Sequence, residues 1–456
     1  MNTATILLPR ARKPVVHPFW QDLPYTNIFL SITSDEACGE AELDARCRRL
    51  PPNHNIHLFM KGISNLNRVT GQEHDQISRF LLGIIIDVKL PGGLSPVRLV
   101  QAVRGILDFV YSAQYPMHTT ETLEGLEDAR MQFHRNKAIF VDLGIRDNFN
   151  LPKLHSCEHY VPNIKLFGTS DNYNTENTER LHIDLARDAY RSTNRKDEFS
   201  QMTLWLERKE KIQWHDKFIE WKRSGCPPPP VISNLHPGVI YERKLTMPKH
   251  PTQKAVRFTA LETEYSAPLF RDALSRYIVQ LTEPALTSAQ MEREAISLDV
   301  PFNSVPVFQR VKFSTSDPYA CDGPTDSIVD SIHVQLRKTL KNGDHIPARF
   351  DTALINTDNF PTNIVPPKYL AYVEWFSSFK PQPERHHLMY KVAQTVKNGD
   401  RLASIIAVNN IRRSIHLLPK FGPVAPPDLK SHNVLDKCPV FFANPWTDRH
   451  IYATLY

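Results

Sequence analysis

What this sequence lacks narrows its chemistry before anything it contains. Glycine is scarce, 16 in 456 residues, and no G-x-x-x-x-G-K-[ST] loop, G-x-S-x-G elbow or dinucleotide fingerprint occurs. Phosphate-cradling loops need glycines so that backbone N–H groups can close on the anion, and their absence excludes nucleotide chemistry of that kind. The six cysteines (Cys38, Cys47, Cys157, Cys226, Cys321, Cys438) form no C-x-x-C pair, which argues against a compact zinc ribbon and against a secreted disulfide framework. No apolar run approaches a bilayer span. The opening run at residues 4–8 is too short for a signal-peptide core and is stopped by Pro9. The expected setting is intracellular, nuclear or cytoplasmic, not secreted and without a membrane partner. A small basic cluster at residues 9–14, PRARKP, is a weak match to a nuclear import address.

The remaining composition is ordinary for a soluble globular protein of two or three domains, with 41% hydrophobic and 23% charged residues. A net charge of +6 permits nucleic-acid contact without requiring it. Cys226 is followed by four prolines, which remove donors and clash with a preceding helical turn; a domain boundary is expected there. The expected fold class is α+β. Residues 1–38 form a proline-containing lead-in with one strand at 28–32. Residues 39–225 are a mainly helical region, 226–250 a proline-rich linker, 251–345 a mixed helical connection, and 346–456 a β-rich domain. Helices are expected from Pro96, from about 120 to 141, from about Glu179, over 200–223, over 267–281 and over 327–340. Beyond residue 347, short apolar runs separated by turn signals point to a small antiparallel barrel, and KNGD at 341–344 and 397–400 reads as two tight turns.

The stretch DNYNTENTERLHIDLARDAY at 171–190 passes from turn chemistry to a helix, with Glu176 and Glu179 at the join. Local physics alone makes Glu179 a carboxylate favoured by the helix dipole. Its surroundings add a second reading. The words FHRNKAIFVDLGIRDNFNLPKLHS (133–156), HYV (159–161), LFGTSDNYNTENTERLHID (166–184) and NRKDEFSQMTLWLERKEK (194–211) resemble, in order, the Plavaka-type transposases of fungal DNA transposons. These belong to a wider group of acidic-triad cut-and-paste enzymes. The resemblance implies that Glu179, with Glu176 as second choice, stands where the third metal-binding carboxylate stands in such enzymes. Their strand transfer uses paired divalent ions held by carboxylate oxygens, so Mg²⁺ is the cofactor only if transposase activity remains. The second family acid matches Asp35, but the chain then reads Glu36 and ACGEAELDARCRRLP in place of the family's Leu-His-Gln continuation. The first acid and a zinc-binding Cys/His module would lie upstream of Met1. The closing NPWTDRHIYATLY resembles the end of the family's barrel-like domain of unknown function. Together these imply a truncated, catalytically inactive transposase remnant associated with DNA. The alternative is a binding module acting through the C-terminal β domain.

Two further features carry chemistry. The expected helix over 200–223 repeats Trp205, Ile212 and Ile219 at seven-residue spacing and interleaves Arg208, Lys209, Lys211, Lys217, Lys222 and Arg223. It is either a solvated face whose lysine stems cover apolar surface or a phosphate-tracking surface, with Arg208, Lys209, Lys211 and Lys217 as the DNA-binding candidates. His155-Ser-Cys-Glu158-His159 fits H-x-x-E-H, the inverted zinc-peptidase signature, in which two histidines grip zinc beside a glutamate base. Pro152 and Pro162 bracket it and allow only a short segment. The transposase-like word H-S-x-x-H-Y explains both histidines without Glu158. For His155 and His159 the favoured expectation is therefore hydrogen bonding inside the helical core.

Overall fold

The computed structural model describes residues 39–64, 66, 69–173, 182–226, 243–316, 327–336, 338–339, 345–346, 348–357, 367–397 and 399–455. The chain divides into two compact units. The larger contains the described residues up to Val161 and those from 243 onward; the smaller contains the described residues between 162 and 226. Both helix and sheet are well represented, so the α+β expectation holds at that level.

In the larger unit, four helices come first: α1 (Glu40–Arg49), α2 (Gly71–Ile85), α3 (Pro96–Ser112) and α4 (Thr120–Asn136). Their starts follow from sequence. Thr70 and Glu73 form a reciprocal capping box at α2, Thr119 and Thr122 do the same at α4, and Pro96 occupies the first turn of α3. Gly105 lets α3 and α4 touch backbone to backbone, since a Cβ there would lie 2.7 Å from the Phe133 nitrogen.

The strands that follow are short and antiparallel. One sheet runs in the order Lys244–Thr246, Arg310–Ser316, Ser327–Gln335, Arg349–Phe350, and another in the order Lys391–Ala393, Val440–Ala443, Leu417–Pro419. The remaining strands associate only in pairs, including Leu370–Glu374 with Ala403–Ala407 and Thr352–Ile355 with Ile411–Ile415. Among the described residues no sheet closes, so the expected barrel is not supported. The reason is visible at Val408–Asn410, a 3₁₀ turn that breaks one apolar run into two strands with different partners.

The expected helix over 327–340 is also corrected: Ser327–Gln335 is a strand, registered against Arg310–Ser316. Ile328, Val329, Ile332 and Val334 are β-branched and stiff at χ1, which suits a pleated surface better than a helix. At the later KNGD word, Val396–Lys397 pairs antiparallel with Asp400–Arg401, and Gly399 between them has φ 93°. The first copy, at 341–344, lies outside the described residues, as does the strand expected at 28–32.

The main core draws on both ends of the larger unit. Leu43, Ile77, Phe80, Leu99 and Val103 from the early helices pack in one cluster with Leu417, Leu418, Phe441 and Trp446. Gly83 marks the closest approach, since a Cβ there would lie 2.6 Å from Leu418 Cδ1. Where the sequence reading expects a helical domain and a separate β domain, the helices and the last strands share a single apolar interior. The short strands cannot cover their own apolar faces, and α2 and α3 supply the missing surface.

The smaller unit holds a π-helical turn (His182–Arg187), a short α-helix (Asp188–Arg191) and the long helix α5 (Glu198–Arg223). Ala189 is buried, whereas no residue of α5 is.

Candidate nucleic-acid interface and histidine pair

Asp35, Glu176 and Glu179, the carboxylates matched to the acidic triad, lie outside the described residues. Of the acids that could complete such a cluster, Asp142 is held by Arg98 at 2.7 Å. Among the described residues no group of three or more His, Cys, Asp and Glu is arranged to hold a metal ion.

Helix α5 spans the whole of the expected basic segment. It carries six basic residues, but Glu198, Glu207, Glu210, Asp216 and Glu220 nearly balance them. Position on the helix therefore matters more than net charge. At 3.6 residues per turn, Trp214, Phe218 and Trp221 fall within about 60° of one another. All three are exposed, by 68%, 47% and 43% respectively, and the Phe218 and Trp221 rings lie 6.0 Å apart. Lys217 flanks this stripe on one side and Lys211 and Lys222 on the other; Asp216 and Glu220 fall on different faces, while Glu207 and Glu210 lie on the stripe's own face in the turns before Trp214. Lys222 leans over the Phe218 ring at 5.0 Å, and Lys211 pairs with Glu207 at 2.5 Å. The structure thus separates the four candidates. Lys211 and Lys217 border the aromatic stripe, exposed Arg208 lies to one side, and Lys209 lies over the half-buried Trp205 ring at 4.8 Å on another face. The aromatic stripe was legible as an i, i+4, i+7 spacing, but the seven-residue repeat at Trp205, Ile212 and Ile219 drew attention to the wrong face.

The histidine pair departs from expectation. Pro152–Ser156 is one short helix, Cys157–His159 a 3₁₀ turn, and a further helix starts at Tyr160, so the short, irregular segment expected between the prolines is present. Neither histidine enters the core: His155 and His159 are both exposed, because the buried positions of this segment are taken by Leu154 and Cys157. Their rings meet edge to face with centroids 4.9 Å apart, and their Nε2 atoms approach to 3.3 Å. Glu158 does not stand beside the Nε2 atoms. One carboxylate oxygen lies 3.3 Å from His155 Nδ1, and the other faces Arg130 at 3.8 Å. A peptidase base must reach a water on the metal side, and Glu158 is directed elsewhere, so this geometry does not favour a peptidase.

Buried Ser414 and Asp330 also converge with half-buried His54, with no sequence signal to announce them. Ser414 Oγ donates to Asp330 at 2.7 Å, the Ser414 backbone N–H donates to the other carboxylate oxygen at 2.6 Å, and His54 Nε2 lies 3.1 Å from Asp330. The His54 approach is a close contact without hydrogen-bond alignment. Burial would raise the Asp330 pKa, but its contacts with His54 and Ser414 and the charge of Arg413 outweigh burial and hold it down at about 2. Ser414 Oγ also lies 3.4 Å from His54 Nδ1, but its one proton goes to the carboxylate in the shorter contact, and Ser414 is buried, so this is a structural tie and not a nucleophile.

A cleft of about 490 Å³ in the larger unit is lined by Tyr372, Trp375, Phe376, Arg349, Arg401 and neighbouring residues. Its charges are paired internally: Arg401 with Glu374 at 2.7 Å and Asp436 at 3.0 Å, and Arg349 with Asp351 at 2.8 Å.

No protein-family profile, curated protein or solved structure matches the chain. No described helix is long and apolar enough to cross a membrane.

Proposed function

We propose that this protein is a transposon-derived, nucleic-acid-associated protein that lacks strand-transfer activity. The observation that carries the association is the exposed stripe of Trp214, Phe218 and Trp221 bordered by Lys211, Lys217 and Lys222 on a helix that buries none of its residues. Aromatic faces stack on bases and adjacent cations track phosphates. Base faces are accessible only where strands are unpaired, so single-stranded DNA is the preferred ligand. The transposon origin and the lack of chemistry rest on the Plavaka-like words, in which Asp35 is followed by Glu36 and ACGEAELDARCRRLP in place of the continuation that would position it beside Glu179 or Glu176. The intracellular setting, nuclear or cytoplasmic, belongs to the same reading.

The test is binding of single- and double-stranded oligonucleotides across a salt series, together with Mg²⁺-dependent cleavage of duplex ends. Salt-sensitive binding that favours single strands, without cleavage, is the expected result. Cleavage abolished by Glu179→Gln, or no binding at low salt, overturns the proposal. The second reading, a binding module in the β-rich region, is favoured by the aromatic cleft. Its internally paired charges suit a neutral, flat ligand.

A further inference from the structure

The exposed pair His155 and His159 has no part in the nucleic-acid reading, and its geometry is specific. A tetrahedral transition ion bound at ~2.0–2.1 Å from two imidazole nitrogens holds those nitrogens about 3.3–3.4 Å apart. The two Nε2 atoms lie 3.3 Å apart. The far side of one ring is equally specific. Glu158 sits 3.3 Å from His155 Nδ1, a close contact that favours the tautomer protonated at Nδ1 and puts the lone pair on Nε2, where it faces His159 Nε2. A carboxylate on the distal ring nitrogen fixes tautomer and ring angle and raises ligand basicity in metal sites generally. Arg130 in turn faces Glu158 and is itself paired with Glu127, so its charge is shared between two carboxylates.

We propose that His155 and His159 form a surface site for a divalent transition ion of the zinc class, with Glu158 as the positioning residue and water completing the coordination. Among the described residues no third protein ligand is in place, so the site is open and exchangeable, and weaker than a closed four-ligand site. Imidazole donors select zinc-class ions over Mg²⁺, which prefers oxygen. The site is therefore separate from any Mg²⁺ requirement of transposase chemistry.

Isothermal titration of the full-length protein with Zn²⁺ alone tests this, with Co²⁺ absorption reporting the ligand set. One ion per chain is expected, with the Co²⁺ bands showing nitrogen ligation. His159→Gln and His155→Gln should each abolish that binding event. Glu158→Gln should leave it present but roughly 10-fold weaker or more. Both histidines are exposed, so the melting temperature of each variant without metal should match that of the parent, which separates lost ligation from lost folding. The proposal is overturned if no Zn²⁺ binds, or if the stoichiometry survives His159→Gln. The first outcome would leave the 3.3 Å contact as a hydrogen bond between two imidazoles, and the second would place the ion elsewhere, for example at the exposed Cys226 thiol.

Discussion

The Arg46 guanidinium donates from Nη2 to the Gly422 carbonyl at 2.5 Å, across 376 positions of sequence. Its Nη1 donates to the Ile84 carbonyl at 3.0 Å and its Nε to Glu42 at 2.6 Å, while the same Glu42 oxygen accepts from the Ala425 backbone at 2.8 Å. One side chain, fully shielded from water, therefore joins α1, the end of α2 and the loop before the last strand.

Arg46→Ala should destabilise the protein by about 3–5 kcal/mol, the usual cost of removing one member of a buried ionic network. Arg46→Lys should recover only part of that, because an ammonium cannot reproduce the planar fork that serves three acceptors. Urea denaturation measures both. A loss below ~1 kcal/mol for the alanine variant would mean that the network is not holding these segments together.

A fragment of residues 39–225 should not fold independently. It contains Leu43, Phe80 and Leu99 but lacks their partners Leu418, Phe441 and Trp446. The expected species binds ANS, keeps far-UV ellipticity and melts without a cooperative transition. A sharp thermal transition in the fragment would contradict the shared core.

Stability should fall with acid in two steps. His416 is buried, and burial pushes its pKa down from 6.5 to about 4 even though its Nε2 donates to the Pro51 carbonyl at 3.0 Å. Burial likewise lowers His387 to about 4. The unfolded chain therefore binds more protons than the native one between these limits, and stability declines as pH drops from about 6.5 to about 4, on the order of 3 kcal/mol for His416 alone. Asp330, depressed from 3.8 to about 2, contributes stability that is present above its unfolded pKa and lost only in the lower window. Chemical denaturation at a series of pH values should show that His416→Gln flattens the upper step and spares the lower one. An unchanged upper step would mean that other groups carry it.

Substituting Trp214, Phe218 and Trp221 by alanine should weaken single-strand binding by about 1–3 kcal/mol for each stacked base. The salt slope should stay as it was, because the rings release no counterions. Neutralising Lys209, Lys211 and Lys217 should do the reverse and flatten the slope, with most of the effect from Lys211 and Lys217, which border the stripe. Since Trp214, Phe218, Trp221, Lys211 and Lys217 are exposed, substituting them should leave thermal melting unaffected. Equal effects from Lys209→Gln alone would assign binding to the opposite face.

The legible parts of the fold were those decided locally. Pro96 marked the start of α3, and the apolar runs after residue 347 became strands because their spacing and turn residues depend on nearest neighbours. Ser327–Gln335 satisfies an amphipathic helix nearly as well as a strand; pairing with the preceding strand Arg310–Ser316 decides the matter, and that pairing is not visible in the periodicity of 327–340 alone. The same holds for the site. The spacing of His155 and His159 was visible at once, but their outward orientation depended on Leu154 and Cys157 taking the buried positions. The Asp330–Ser414 tie joins residues 84 positions apart and left no local trace.

The shared core also fixes an order of events during synthesis. At ~5–20 residues per second, Gly422 follows Arg46 out of the ribosome by roughly 20–75 s. Throughout that interval α1 to α3 have no permanent cover for the surface that Leu417, Leu418 and Trp446 will occupy. These helices are thus completed only when the last strands arrive, and a premature stop before Leu417 would leave them without their cover.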